Sequence, residues 1–201
     1  MTDYAQRAAG RQASEGLVAE LNRILDALAR TRPGADLLED GRQVAGRIAK
    51  QLEKLPVLRD DPGIAAHSPD NPRLQPSERG LVPTLHVHGE TDREINGRVV
   101  FSPRFAGTTA VHGGAIGLFF DDLLGRLANY SSAGAIARTA YLRIDFRHLT
   151  PVSTELICNA WVEWVEGRKR ILRGTVRLND KVLAEAEGLW VESRQPYKES
   201  S

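Results

Sequence analysis

The chain has 201 residues, 41% hydrophobic and 26% charged, and its 27 basic and 26 acidic side chains leave a net charge of +1. That is material for one globular domain with an extension, without the basic field of a nucleic-acid binder or any run near the ~20 apolar residues of a transmembrane helix. The single cysteine, Cys158, excludes an internal disulfide framework and a Cys-rich zinc site. The N-terminal stretch lacks the apolar core of a secretory signal. A cytoplasmic protein is therefore expected, in which Asn129-Tyr130-Ser131 matches a glycosylation sequon by chance.

In chain order, Leu17, Leu21, Leu25 and Leu28 recur at helical spacing within residues 11–32, and Pro33-Gly34 stops the pattern. Val44, Ile48, Leu52 and Leu55 repeat it over residues 41–55, up to Pro56. Two amphipathic helices are expected, forming a hairpin packed on something else; their mixed charge argues against a membrane-surface role. Residues 1–58 thus read as an N-terminal helical extension. Residues 59–80 hold four prolines and little apolar content, as a linker does.

The texture changes over residues 81–201. Residues 81–88 alternate as a strand does, residues 97–103 read as a second strand, and residues 89–96 read as the turn between them. Residues 113–130 follow, carrying Ile116, Leu118, Phe119, Phe120, Leu123, Leu124 and Leu127, too long and Leu-rich for a strand and apolar on most sides. This pattern predicts a buried helix. Strand-like runs at 137–149, 155–165, 170–179 and 182–192 are separated by turns at Thr150-Pro151, Glu166-Gly167 and Asn179-Asp180. A hydrophobic helix followed by an antiparallel meander has one economical packing: the sheet curls around the helix. The expectation is an α+β domain of about six strands.

The buried helix carries the chemistry. It opens on His112-Gly113-Gly114 and holds Asp121-Asp122 at its middle. Adjacent glycines admit close approach to the backbone, and a helix N-terminus offers free N–H groups to an oxyanion. A carboxylate in an apolar helix is costly unless it is paired or used. The pair suggests an oxyanion hole with a general base or nucleophile. Gly113 and Asp121 lie eight positions apart, or ~12 Å along one helix. One carbonyl cannot touch both in a single subunit: either the two serve different purposes or they meet across two subunits, and the chemistry favours a composite site in a two-fold dimer. Asp122, turned about 100° from Asp121, reads as structural or as pairing with Arg126 one turn on.

The segment Val111-His112-Gly113-Gly114-Ala115-Ile116, with Asp121 nine residues after the histidine and Gly125 beyond, resembles the signature of hotdog-fold acyl-CoA thioesterases, phenylacetate-pathway type and human thioesterase-superfamily branch. Residues 138–146, Pro151 and the turn Glu166-Gly167-Arg168-Lys169 are similar to later parts of that pattern, over roughly residues 81–192. The resemblance implies a hotdog fold, its sheet wrapped around the central helix. It implies hydrolysis of a medium-chain, long-chain or aryl acyl-CoA to free acid and CoA in a homodimer or dimer of dimers, a role in lipid metabolism without a cofactor or metal. Gly113 and Gly114 would polarise the thioester carbonyl, and Asp121 of the other subunit would activate water or attack directly. His112 would orient substrate or share catalysis. Arg168 and Lys169 would hold CoA phosphates, and the strand through Arg143 and Asp145 would line the pantetheine channel, largely by its backbone. Phe119 and Phe120 are candidate lining of an acyl tunnel. Some relatives carry an Asn six residues before the histidine, where this chain has Ala106.

Other readings are weaker. His86 and His88 share a strand face near Glu90 and Asp92, without a further cluster to complete a metal site. Asp70-Asn71-Pro72 faintly resembles a hotdog hydratase motif but lacks its histidine. A nucleophile elbow G-x-S-x-G, which would suit an α/β-hydrolase, is missing. Trp161, Trp164 and Trp190 read as core or interface fillers. From a different functional class, a non-catalytic acyl-CoA-binding hotdog protein remains open, supported by Ala106 and the helical extension.

Overall fold

The computed structural model describes residues 2–55, 82–131 and 136–193. The expected linker and Asp70-Asn71-Pro72 lie essentially outside these residues. Six strands form one antiparallel sheet: β1 (Leu85–Glu90), β2 (Glu94–Val100), β3 (Ala137–Phe146), β4 (Glu155–Glu166), β5 (Lys169–Leu178) and β6 (Lys181–Glu192). Their order across the sheet is β1-β2-β4-β5-β6-β3. The expected α+β architecture and strand number hold. The first turn is tighter than expected, because β1 and β2 extend into residues 89–96 and leave only residues 91–93 between them.

The helices are α1 (Thr2–Leu28), α2 (Ala35–Leu52) and α3 (Gly113–Tyr130). Helix α3 lies across the sheet and buries Ile116, Phe119, Phe120, Leu123, Leu124 and Leu127. These meet Ile95, Val99, Leu156, Leu172, Val176 and Trp190 in one continuous core. Each such side chain, fully buried, contributes about 1.5–3 kcal/mol. Phe119 and Phe120 are spent here, 1% and 0% exposed, with Phe119 edge-on to Phe101. They pack the helix to the sheet rather than line an open tunnel, which corrects the sequence expectation. The burial of α3 is also incomplete: His112, Gly113, Gly114, Leu118 and Asp121 lie exposed along one side of it.

The N-terminal helices form as the periodicity requires, but they do not close on each other as a buried hairpin. Leu21, Ile24, Leu25 and Leu28 of α1 are exposed, and α2 has no buried residue. Helix α1 is held near its end, where Asp26 accepts the Arg104 backbone N–H at 3.0 Å and pairs with its guanidinium at 3.3 Å. Arg104 lies in a short 3₁₀ turn, Pro103–Phe105, just after β2.

Candidate active site

The entry to α3 is fixed by the backbone before it. His112 is extended, with φ −63° and ψ 133°. Its N–H donates to the Phe105 carbonyl at 2.9 Å, and the Val111 N–H donates to the Thr150 carbonyl at 2.9 Å. The helix is thereby pinned between the 3₁₀ turn and the segment after β3. The His112 ring then turns back, and its Nδ1 accepts the Gly114 N–H at 3.0 Å as an N-cap. The proton of the neutral ring therefore resides on Nε2. The Gly113 N–H has no acceptor among the described residues. Of the two amides expected to meet an oxyanion, one is open and the other is held by His112. No Cβ is tolerated freely at either glycine. At Gly113 it would lie 3.3 Å from the Phe146 ring, and at Gly114 3.0 Å from His112 Nδ1.

Gly113 opens on a cavity of about 600 Å³ walled by Val111, Ile116, Phe146, His148 and Leu149. Asp121 opens on another, of about 470 Å³, shared with Asp122, Asn129, Arg138, Thr139 and Trp190. Within one chain the two groups face separate cavities, as their spacing demands. The first cavity lies at the end of β3 and the second at its start.

The second cavity has supports that the sequence reading missed. Thr139 Oγ1 donates to Asp121 Oδ1 at 2.8 Å. A bulge between Thr139 and Tyr141 allows this: Thr139 pairs with buried Trp190 and Tyr141 with Leu189, so the extra residue re-aims the strand. Asn129 clamps the same region. Its Oδ1 accepts the Ala137 N–H at 2.9 Å and its Nδ2 donates to the Gly125 carbonyl at 2.8 Å. Arg170, 8% exposed, donates to the Ser131 carbonyl at 3.2 Å and pairs with Glu192, tying the C-terminus of α3 to the sheet. The Thr139 hydroxyl had no distinguishing pattern in sequence, since its partner lies 18 residues away.

Asp122 departs from expectation. Arg126 does not pair with it but makes a bidentate bond to Glu90 of β1, at 2.7 Å for both contacts. No hydrogen bond or ion pair to the Asp122 carboxyl occurs among the described residues. Burial pushes its carboxyl up to about 6; the charge of Arg126 offsets part of this and that of Asp121 adds to it.

The remaining candidates lie elsewhere. Arg168 and Lys169 sit at the β4–β5 turn, where Gly167 takes φ 54°. Lys169 pairs with Val191 and Ala137 with Glu192, so this turn shares its end of the sheet with Asp121. Arg168 donates to the Glu192 carbonyl at 2.7 Å. Arg143 and Asp145 pair at 3.3 Å and, with Trp161, Arg173 and Glu187, line a cavity of about 280 Å³. Their neighbours Leu142 and Ile144 pack against the core, so by strand alternation the Arg143 and Asp145 side chains face away from α3. His86 and His88 are exposed on β1, and no group of three metal-ligating side chains occurs among the described residues. Trp190 is core, whereas Trp164 is 44% exposed. No helix among the described residues is long and apolar enough to cross a membrane.

No family model matches the chain. It is 34% identical to acyl-coenzyme A thioesterase THEM4 of Bos taurus over 93 residues, which span 45% of this chain and 37% of the relative. The chain thus covers little more than a third of that curated relative. A crystal structure described as a thioesterase superfamily protein matches with a TM-score of 0.70 and 26% identity, covering 89% of this chain and 94% of the other. Zebrafish thioesterase superfamily member 2 matches with a TM-score of 0.52 and 13% identity, over 61% and 88%. The fold is the hotdog fold, and the resemblance to hotdog-fold acyl-CoA thioesterases read from the HGG segment is borne out.

Proposed function

We propose that this hotdog-fold chain is an acyl-CoA thioesterase whose site forms between two copies. The observation that carries this reading is the placement of the two chemical groups along one edge strand. The β3 edge opposite β6 has no partner strand among the described residues. Asp121, held by Thr139, stands at the start of that strand, and the open Gly113 N–H stands near its end. Pairing two β3 edges antiparallel about a two-fold axis brings each start against the other's end. Exposed Tyr141 and Phe146 lie on the same strand and would be covered.

In the composite site, the Gly113 amide of one copy and the positive end of α3 polarise the thioester carbonyl. The partner copy's acid, equivalent to Asp121, takes a proton from water as it adds, or adds itself. In the first route the acyl–sulfur bond then breaks and the proton passes to the departing sulfur, giving the free acid and CoA thiol; in the second, CoA leaves as thiolate and takes a proton from solvent, and water then opens the resulting acyl–carboxylate anhydride to the free acid and the restored carboxylate. Thr139 orients the carboxylate through its Oδ1. Lys169 and Arg168 supply positive charge for CoA phosphates from the adjoining turn, and the backbone of β3 through Arg143 and Asp145 lines the thiol-bearing arm. The apolar wall of Val111, Ile116, Phe146 and Leu149 suits an alkyl or aryl acyl group.

The test is complementation. Asp121→Ala and Gly113→Val are each assayed for thiol release from an acyl-CoA panel, then mixed, unfolded and refolded together. Each alone is expected to be inactive, and the mixture to regain about a quarter of wild-type activity, because half the dimers then carry one intact site of two. A mixture as inactive as its components rejects the shared site. No turnover by the wild type on any acyl-CoA rejects the enzyme reading.

A second reading is favoured by two observations. With Ala106 where relatives place an Asn, and with the Gly114 amide engaged by His112, the chain would bind acyl-CoA without turning it over. Calorimetric binding of an acyl-CoA without thiol release selects that alternative.

A further inference from the structure

We infer that Asp122 is a second functional carboxyl of the Asp121 cleft, a positioning residue whose ionisation governs how readily a proton is taken up there. The inference rests on the thioesterase reading and deepens it at the same site. Four features of the geometry carry it.

Asp121 and Asp122 line one cavity although they are consecutive on a helix. They differ in environment: Asp121 is exposed and receives the Thr139 hydroxyl, whereas Asp122 is partly buried and its carboxyl has no hydrogen-bond partner among the described residues. The cation one turn along, Arg126, is drawn off by both oxygens of Glu90. The groups around Asp122 are otherwise Asp121 and Arg126 on α3, Glu90 on β1 and Tyr130 on α3 acting through Arg126, and Arg138 and Trp190 walling the cleft from β3 and β6. Glu90 thus leaves the Asp122 carboxyl only partly offset by Arg126, beside the group proposed to act on water.

The consequence is electrostatic. When Asp122 is ionised, its negative charge favours the arrival of a proton in the cleft, which is the event that accompanies attack by water. When Asp122 is neutral, that help is lost. Its carboxyl changes state near pH 6, so the rate should carry an acid limb there that belongs to Asp122. Catalytic contact remains with Asp121; Asp122 acts through it.

The experiment pairs a pH–rate profile with a carboxyl ¹³C titration of the full chain, for wild type, Asp122→Asn and Glu90→Gln. In wild type a carboxyl signal absent from Asp122→Asn should titrate near pH 6, together with the acid limb of kcat. In Asp122→Asn the limb should vanish from that region, with kcat at pH 8 lowered about three- to tenfold and KM little changed. Glu90→Gln should free Arg126 to pair with Asp122 and move both the limb and the carboxyl signal to lower pH, a response that a packing role does not give. An unchanged limb in an active Asp122→Asn overturns the inference and leaves the thioesterase reading standing. An Asp122 signal that titrates in the ordinary carboxylate range overturns it as well. Absence of turnover in the wild type overturns the thioesterase reading and this role with it.

Discussion

His112 Nδ1 accepts the Gly114 N–H at 3.0 Å, so the ring that caps α3 also occupies one of its two glycine amides. The same histidine therefore has a structural duty at the helix start and stands at the mouth where the Gly113 amide is open. His112→Ala is expected to lower stability by about 1 kcal/mol, the usual loss of an N-cap, whereas His112→Asn keeps an acceptor and most of that stability. Urea unfolding of the two variants separates the duties: loss of turnover in His112→Asn at near-native stability points to a direct role in the site.

Asp121 and Thr139 should behave as a unit. Asp121→Asn is expected to lose about 100-fold or more in kcat, since amide nitrogen and oxygen cannot accept a proton as a carboxylate does. Thr139→Ala should lose about tenfold, the worth of one hydrogen bond to a charged group, and Thr139→Ser should recover most of it. Steady-state kinetics on the best acyl-CoA check both, and a double variant no worse than Asp121→Asn alone shows that Thr139 acts through the acid.

Asp122 weakens the fold at neutral pH. Burial raises its carboxyl from an ordinary value of 3.8 to about 6. The folded chain therefore holds the proton more tightly than the unfolded chain, and stability falls as pH rises through that window. The penalty is absent below the ordinary value and complete above about pH 6. Asp122→Asn should match wild type near pH 3 and exceed it at pH 7 by on the order of 1–2 kcal/mol, allowing for partial solvent access. Unfolding curves at the two pH values give the comparison.

Cys158 should be silent in thiol assays. It is 0% exposed on β4, and burial pushes its thiol up to about 12, leaving negligible thiolate at pH 8. The folded protein is expected to show no reaction with an aromatic disulfide reagent over the minutes of an assay, and about one thiol per chain after denaturation. Absorbance at the thiolate product reads this directly, and any thiol then seen with acyl-CoA comes from CoA.

Gly188 of β6 sits where no side chain fits. A Cβ there would lie 2.5 Å from the Trp190 ring and 2.7 Å from the Tyr141 carbonyl oxygen, and the oxygen belongs to backbone that cannot swing aside. Gly188→Ala should lower stability by about 2 kcal/mol or more, as overpacking does. It should also disturb the bulge that aims Thr139, so activity should fall further than stability alone accounts for. Thermal unfolding with parallel kinetics tests both parts.

Local sequence determined the elements because each has a period or a stop that neighbouring residues set. Alternation marked the strands, the Leu-rich run marked α3 from Gly113 to Tyr130, and Gly167 and Asn179 take the positive φ that closes two of the hairpins. It also determined that Gly113 and Asp121 of one chain could not meet on one carbonyl, since helical rise fixes their separation. What only the tertiary structure decided are contacts between residues far apart in the chain. Thr139 reaching Asp121, Glu90 drawing Arg126 off Asp122 and Phe119 turning into the core rather than a tunnel all depend on which strand passes over which face of α3. A side chain's partner across the fold leaves no trace in its own neighbourhood, so the chemistry of the helix was legible in sequence, and the environment that tunes it was not.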